Sequence, residues 1–416
     1  MGRKMKDSGL AWVGDIPSHW NLVPNKYLMQ KKRNLCEKWN GENVLSLTMN
    51  GVIVRDLENP SGKMPATFDG YQYLRKGNLL MCLFDIDVTP RCVGRVRDDG
   101  VTSPAYSVFE LEKGADLNYF YYYYLMLDYT KVLLSFAKNL RHSLTEEQLG
   151  MIKVPVPPTD EQIQIAEWLD EKCGEVNQLI NEAKETITKY KKWKVSVIYE
   201  AVTKGLNPDV TMKDSGVLHI GNTPSHWDLI PNKYIMKKKK NICEKWAGED
   251  VMSLTMNGVV VRDLENPSGK MPSTFDGYQY ISEGELLMCL FDIDVTPRCV
   301  GRVKQNGVTS PAYSSFVLTE KADLDYYYYY YLMLDNTKEL LTYAKNLRHS
   351  LTEEQLGLLK VPVPPKTEQV EIARFLDKKI GDIDAIIKEK EALIEKLEEY
   401  KKSLVFEAVT GKREVI

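Results

Sequence analysis

The chain has 416 residues, 43% of them hydrophobic and 27% charged, with a formal net charge of −3. That length exceeds the ~250–300 residues at which single cores stop growing, so two domains are expected, and the proportions are those of a globular chain. No apolar run approaches the ~20 residues that span a bilayer, the opening Met1-Gly2-Arg3-Lys4 lacks a secretory apolar stretch, and Lys6 occupies the position where a myristoylation signal carries Ser or Thr.

In chain order, short apolar stretches at 44–47, 52–54, 79–84 and 105–109 read as strands, separated by turn chemistry such as Asn50-Gly51 and Asp98-Asp99-Gly100. Helical periodicity follows over 119–137. Residues 138–143 read as a loop, and Thr145 opens a short helix through Glu146, Glu147 and Gln148. Pro157-Pro158 ends this mixed region. Thr159 or Asp160 then caps a helix that meets no proline before about Thr203. Val176, Leu179, Ala183, Thr186, Tyr190, Trp193 and Val197 give it a heptad seam. At 1.5 Å per residue such a helix is about 60 Å long.

After the link 205–209 the whole pattern returns. Residues 5–204 recur as 212–411 at a constant offset of 207. This period is far longer than a solenoid unit of roughly 20–50 residues. The second seam reads Ile383, Ile386, Leu393, Leu397, Tyr400 and Leu404, interrupted by Lys390. The expected architecture is therefore α+β, with mixed α/β globular domains at 1–158 and 207–365, each followed by a long helix at 159–206 and 366–416. Each helix needs a partner for its seam, and the two are expected to form an antiparallel coiled coil, the alternative being a parallel pair with both globular domains at the same end.

Chemistry-bearing residues are few. Asp85 and Asp87, two apart on a strand, could ligate a metal, but no third ligand suggests itself nearby and an exposed strand end is the simpler reading. His19 and His226 stand beside Ser and before Trp, which favours packing over a catalytic triad. No phosphate-binding glycine loop, zinc motif or methyltransferase motif is present, so no catalytic residues are assigned. The aromatic runs 119–124 and 326–331 point all round a helix, which favours a buried helix over a base-stacking platform. The seven cysteines include no Cys-x-x-Cys pair, which favours reduced thiols and a cytoplasmic setting. Several basic clusters recur in both halves: Lys31, Lys32 and Arg33 with Lys238, Lys239 and Lys240; Arg91 and Arg95 with Arg298 and Arg302; Arg141, His142 and Ser143 with Arg348, His349 and Ser350. Phosphate affinity depends on where positive charge sits, not on the sum.

The order of parts carries a resemblance. The opening, residues 5–20 ending Pro17-Ser18-His19-Trp20, resembles the start of specificity (S) subunits of Type I restriction-modification systems. So does Pro157-Pro158-Thr159-Asp160-Glu161-Gln162-Ile163-Gln164-Ile165-Ala166 leading into a long helix, and Phe406-Glu407-Ala408-Val409-Thr410-Gly411 resembles the family's helix ending. The resemblance implies a non-catalytic subunit with two target recognition domains, each reading half of a bipartite double-stranded DNA target. It implies two methylation subunits and restriction subunits as partners, and it leaves S-adenosylmethionine, ATP and Mg to those partners, with no cofactor in this chain. A two-armed protein scaffold that never touches DNA, or the recognition subunit of another restriction-modification type, are the rival readings.

In the resembled family the two recognition domains usually differ, and here they scarcely do. Equal domains on antiparallel helices are related by an approximate two-fold, so an interrupted palindrome is expected, with half-sites about one helical turn (~34 Å) or a small multiple apart. Within each domain, Arg141 and Arg91 are expected on guanine or phosphate, and Asn50 or Asn139 on an adenine edge, with Asn257 and Asn346 as their counterparts.

Overall fold

The computed structural model of the chain describes residues 3–60, 62, 64–137, 141–267, 271–344 and 348–415. It divides into two compact units, Met1–Ala183 with Ala392–Ile416, and Lys184–Glu391. This division differs from the four consecutive segments read from the sequence, because it passes through both long helices. Each unit contains one globular region, the first part of the helix that follows it, and the last part of the other repeat's helix.

In the first unit an antiparallel sheet runs in the order Val93–Arg95, Leu79–Met81, Ser107–Leu111 and Met29–Lys32. Helix α1 (Leu117–Tyr129) is started by Asp116, whose carboxylate accepts from the Tyr119 backbone N–H at 2.8 Å. Around this framework Trp20, Ile16, Leu79, Met81, Phe120, Tyr123 and Tyr124 form the core. A smaller sheet joins Gly100–Thr102, Tyr71–Leu74 and Leu35–Cys36. A hairpin of Leu45–Thr48 and Gly51–Val54 lies against Gly94, where an added Cβ would come within 2.6 Å of Val52 and 2.7 Å of Leu47. Glycine is required there by close approach. In the second unit the equivalent hairpin, Val251–Thr255 with Gly258–Val261, joins the small sheet through a parallel pairing of Val251 with Val308.

The expected elements are present with shifted ends. The strand expected over 79–84 stops at Met81, and the chain turns at Asp85, whose φ is 46°. The strand expected over 105–109 lies at Ser107–Leu111. The helix expected over 119–137 is broken, because Lys131 adopts φ 52° and a 3-10 turn, Val132–Phe136, takes over. Lys131 leaves helical geometry to bring its ammonium to the carbonyls of Ile86 (3.3 Å) and Thr89 (3.1 Å). The short helix α2 (Glu146–Met151) opens on Thr145 with a reciprocal Thr145–Gln148 capping box. The tyrosine helix is buried on several sides, with Tyr122 donating to Asp170 (2.7 Å) and Tyr124 to Asn25 (2.5 Å). All seven cysteines are buried and unbridged. No described helix is long and apolar enough to cross a membrane.

The helices α3 (Thr159–Lys204) and α6 (Lys366–Val409) are each continuous; α4 (Leu324–Asn336) and α5 (Glu353–Leu358) repeat α1 and α2. In the first unit Lys401 donates to Asn177 at 2.8 Å, while Arg413 stacks on Trp168. Ascending one helix therefore descends the other, and the segments are antiparallel. In the second unit Lys194 pairs with Asp384 at 2.7 Å and Gly205 lies beside Glu368, which gives the same sense. The seam differs by one residue from the expected heptad. Leu179 (51% exposed) and Trp193 (43%) face outward, and Ile180 and Ile187 are buried one step after the expected Leu179 and Thr186. Both registers share Val176 and Ala183, and the branched isoleucines fill the contact better than the residues one step earlier. Of the second seam Ile383 and Leu404 are buried, while Leu393 and Tyr400 are exposed.

Candidate nucleic-acid interface

Three segments of the first unit meet at one surface. Loop 82–92 connects the central strand Leu79–Met81 of the main sheet to its edge strand Val93–Arg95. Its backbone pairs with the loop after residue 140: Asp85 N–H donates to Arg141 O (3.1 Å), Ile86 N–H to His142 O (3.2 Å), and Leu144 N–H to Leu83 O (2.8 Å). The third segment is the hairpin tip Met49-Asn50, reached by Arg91, whose Nη2 donates to Met49 O at 3.3 Å. Asn50, Arg91, Arg141, His142 and Ser143 are thus brought together.

The loop is held from beneath. Asp128, buried at the end of α1, accepts the Cys92 N–H at 2.9 Å and pairs with Lys131 at 3.0 Å. Lys131 in turn holds the carbonyls of Ile86 and Thr89. On the surface His142 pairs with Asp87 at 2.9 Å, and this contact holds the Asp87 carboxyl below the usual range. Asp85 and His142 both have positive φ, 46° and 44°. Left-handed backbone at residues other than glycine costs about 1–2 kcal/mol each, and here it faces itself across paired loops. Strain of this kind persists where surrounding bonds over-determine it. The product is a rigid loop whose tip, Val88, is 73% exposed. Asp87 is therefore committed to a histidine, and among the described residues no group of three or more metal-ligating side chains is assembled.

The second unit repeats the arrangement. Asp292 and Ile293 donate to Arg348 O and His349 O (both 3.2 Å), His349 pairs with Asp294 (3.0 Å), and Asp335 accepts the Cys299 N–H (2.9 Å). Lys338 reaches Ile293 O and Thr296 O as Lys131 does its counterparts. One difference concerns Arg298. It donates to Asp335 (3.3 Å) and Asn336 (3.2 Å), whereas Arg91 stacks on Tyr129, the residue in the place of Asn336. Ser143 and Ser350 turn their hydroxyls to Arg141 O and Arg348 O, both at 3.0 Å.

Other basic residues lie elsewhere. Arg95 forms a two-point pair with Asp170 on α3 (2.7 and 3.1 Å), bonds Asn118, and stacks on Tyr121 and Tyr122. Arg302 makes the equivalent bridge to Asp377 and Asp325. Burial is the largest influence on Arg95 and opposes its charge, and the hydrogen bond and charge of Asp170 with the neighbouring Tyr121 and Tyr122 together outweigh it. These arginines fasten the globular region to its helix and are not presented at the loop surface. Lys31 and Lys32 lie on the edge strand Met29–Lys32, near Glu146 (3.9 Å) and paired with Glu110 (2.9 Å). Lysine on a sheet edge deters strand addition. Lys238 repeats Lys31, but Lys239 pairs with the buried Glu285, which also accepts from Ser315. Arg33 and Lys240 are exposed beyond the ends of these strands. Asn139 and Asn346 lie outside the described residues.

Sequence reasoning missed the supports Asp128 and Lys131, which look like an ordinary i,i+3 pair at a helix end. It found His19 and Trp20 only as packing residues. Glu161 explains the pair, accepting from Trp20 Nε1 (2.8 Å) and pairing with His19 and Arg3 (both 2.5 Å) at the start of α3.

Residues 85–189 and 280–396, more than half of the chain, match the family described as Type I restriction modification DNA specificity domain. A type I restriction enzyme MjaX specificity subunit described from Methanocaldococcus jannaschii is 26% identical over 290 residues, 65% of this chain and 61% of that protein. The match thus spans about three fifths of that relative's length. A chain solved in work on complex assembly and conformational transition of the type I R-M system superposes with a TM-score of 0.69 at 12% identity, covering 96% of this chain and 99% of that one, and so shows the same fold. The HsdS subunit from Thermoanaerobacter tengcongensis aligns with a TM-score of 0.49 at 13% identity, over 96% of this chain and 98% of its own.

Proposed function

This chain belongs to the Type I restriction modification DNA specificity family, and from that premise we propose that it is the sequence-reading subunit of a DNA methylation and restriction complex. Each globular region reads one half of a bipartite double-stranded target. The observation that carries this is the duplicated surface built from a hairpin tip, loop 82–92 and the loop after 140. In both units it is rigid, exposed and bordered by arginine. Phosphate contacts then place the protein and base contacts select the sequence.

The residues forming this surface are the same in both repeats: Met49-Asn50 and Met256-Asn257, Asp85 to Cys92 and Asp292 to Cys299, Arg141-His142-Ser143 and Arg348-His349-Ser350. Equal surfaces read equal words, so we propose an interrupted palindrome. Antiparallel helix segments support the inversion of one word relative to the other. Methylation chemistry, with S-adenosylmethionine, and cleavage, with ATP and Mg, are assigned to separate methylation and restriction subunits acting in the cytoplasm. This chain contributes recognition and docking, not catalysis. The test is binding of the full chain to target and scrambled duplexes at ~150 mM salt, where non-specific attraction is reduced. Equal affinity for both removes the reading and favours a scaffold that does not touch DNA.

A further inference from the structure

The hairpin 45–54 has an outer face unlike the rest of its domain. Cross-strand pairing sets Ser46 opposite Ile53, Leu47 opposite Val52 and Thr48 opposite Gly51. Leu47 and Val52 turn inward onto Gly94. Alternation along a strand therefore sends Ser46, Thr48 and Ile53 outward, and Met49 and Asn50 form the tip. Within residues 45–54 that face carries no charged residue, and Arg55, whose N–H continues the ladder to Val44 O (2.8 Å), follows at its root. Ile53 is 44% exposed, and Met49 is exposed beside it. The second unit repeats this with Ser253, Thr255, Val260, Met256 and Asn257.

An exposed edge of aliphatic residues invites strand addition, and proteins ordinarily arm such edges with lysine. The same domain does so on its other edge, Met29–Lys32. Leaving this hairpin uncharged in both units therefore needs a reason. The turn is also fixed: Thr48 Oγ1 donates to Gly51 O (2.9 Å) and accepts the Asn50 N–H (3.2 Å), with the equivalent bonds at 3.0 and 3.1 Å in the second unit. Arg91 holds the Met49 carbonyl at the foot of the tip. A stiff, uncharged two-stranded ribbon with cationic residues at its root matches a major groove, ~12 Å wide, whose floor is uncharged and whose walls are phosphate.

Building on the specificity reading, we infer that each hairpin enters a major groove and reads A·T pairs, with Ile53 and Val260 packed on a thymine methyl and Asn50 and Asn257 on the adenine edge. Aliphatic contact with the thymine methyl and amide contact with adenine N6 and N7 are the matching chemistries. Glutamate on this face would meet no donor at a thymine, which offers only the O4 acceptor and the methyl.

The experiment enriches words from a randomised duplex pool with the full chain, then replaces each thymine of the enriched word by deoxyuridine, which lacks the methyl. One thymine in each half-word should be sensitive, each replacement weakening binding about fourfold, the worth of one buried methyl-sized group. The Ile53→Ala, Val260→Ala double variant should no longer distinguish thymine from deoxyuridine there. An enriched word in which every deoxyuridine is neutral overturns the hairpin assignment and leaves the specificity reading standing. A wild-type chain that enriches no word overturns both. Should the double variant not fold, the deoxyuridine series on wild type decides alone.

Discussion

The hydroxyl of Tyr119 lies 3.0 Å from the carbonyl oxygen of Val409, 290 residues later in the chain. Tyr326 makes the matching contact with Val202 at 2.9 Å. Each globular region is thus completed by the end of the other repeat's helix. In the first unit Val405, Ala408 and Val409 are buried in the main core, and in the second unit the first repeat's equivalent residues Ile198, Ala201 and Val202 are buried. Val405→Ala with Val409→Ala should destabilise the first unit by about 2–4 kcal/mol. Denaturant unfolding should then show one early transition and one unchanged; a uniform shift of a single transition would contradict it.

Because those two end segments are so alike, either should fit either globular region. Residues 1–206 alone are expected to form a dimer in which each helix end docks on its partner copy. Light scattering coupled to size exclusion checks this, and a monomer at all concentrations would refute it.

Arg141 and Arg348 stand on the strained loop facing Asp85 and Asp292. Arg141→Ala together with Arg348→Ala should weaken target binding about tenfold or more and lower the salt slope by about two, one phosphate contact per unit. Gel-shift titration across several salt concentrations measures both. An unchanged affinity at ~150 mM salt removes these residues from the interface.

Arg95 should behave differently. Its pairing with Asp170 joins sheet to helix, so Arg95→Ala is expected to cost about 1–3 kcal/mol of stability while leaving the salt slope of binding unchanged. A lowered slope at unchanged stability would return Arg95 to the DNA surface.

His219 supplies a pH test specific to the second unit. It is buried between the hydroxyls of Tyr330 (3.2 Å) and Tyr343 (3.4 Å), where the first unit has Trp12. Burial lowers its pKa from the ordinary 6.5. The unfolded chain therefore binds a proton at higher pH than the folded one, and stability is lost as pH falls below about 6.5 towards the folded pKa. Unfolding monitored from pH 7.5 to 5 should show the second unit weakening, and His219→Trp should abolish its difference from the first.

Much of this architecture was legible because a repeat states it twice. The Thr145 cap, the break at Pro157-Pro158 and the long helices follow from local rules that tertiary contacts do not override. The seam slipped by one residue because Leu179 and Ile180 are both apolar, and only packing against the opposing segment selects between them. At the site, charge type identified Arg91 and Arg141. It could not distinguish Arg95, because the residue that claims it, Asp170, lies 75 positions away on the helix. The left-handed turns at Asp85, Lys131 and His142 were illegible for the same reason: each is stabilised by groups distant in sequence.

Methylome sequencing of cells carrying the complete system tests the central claim most directly. Two equal surfaces predict one methylated motif made of the same half-word twice, inverted about an unread spacer. A motif with two unrelated half-words, or with no gap between them, would contradict the account.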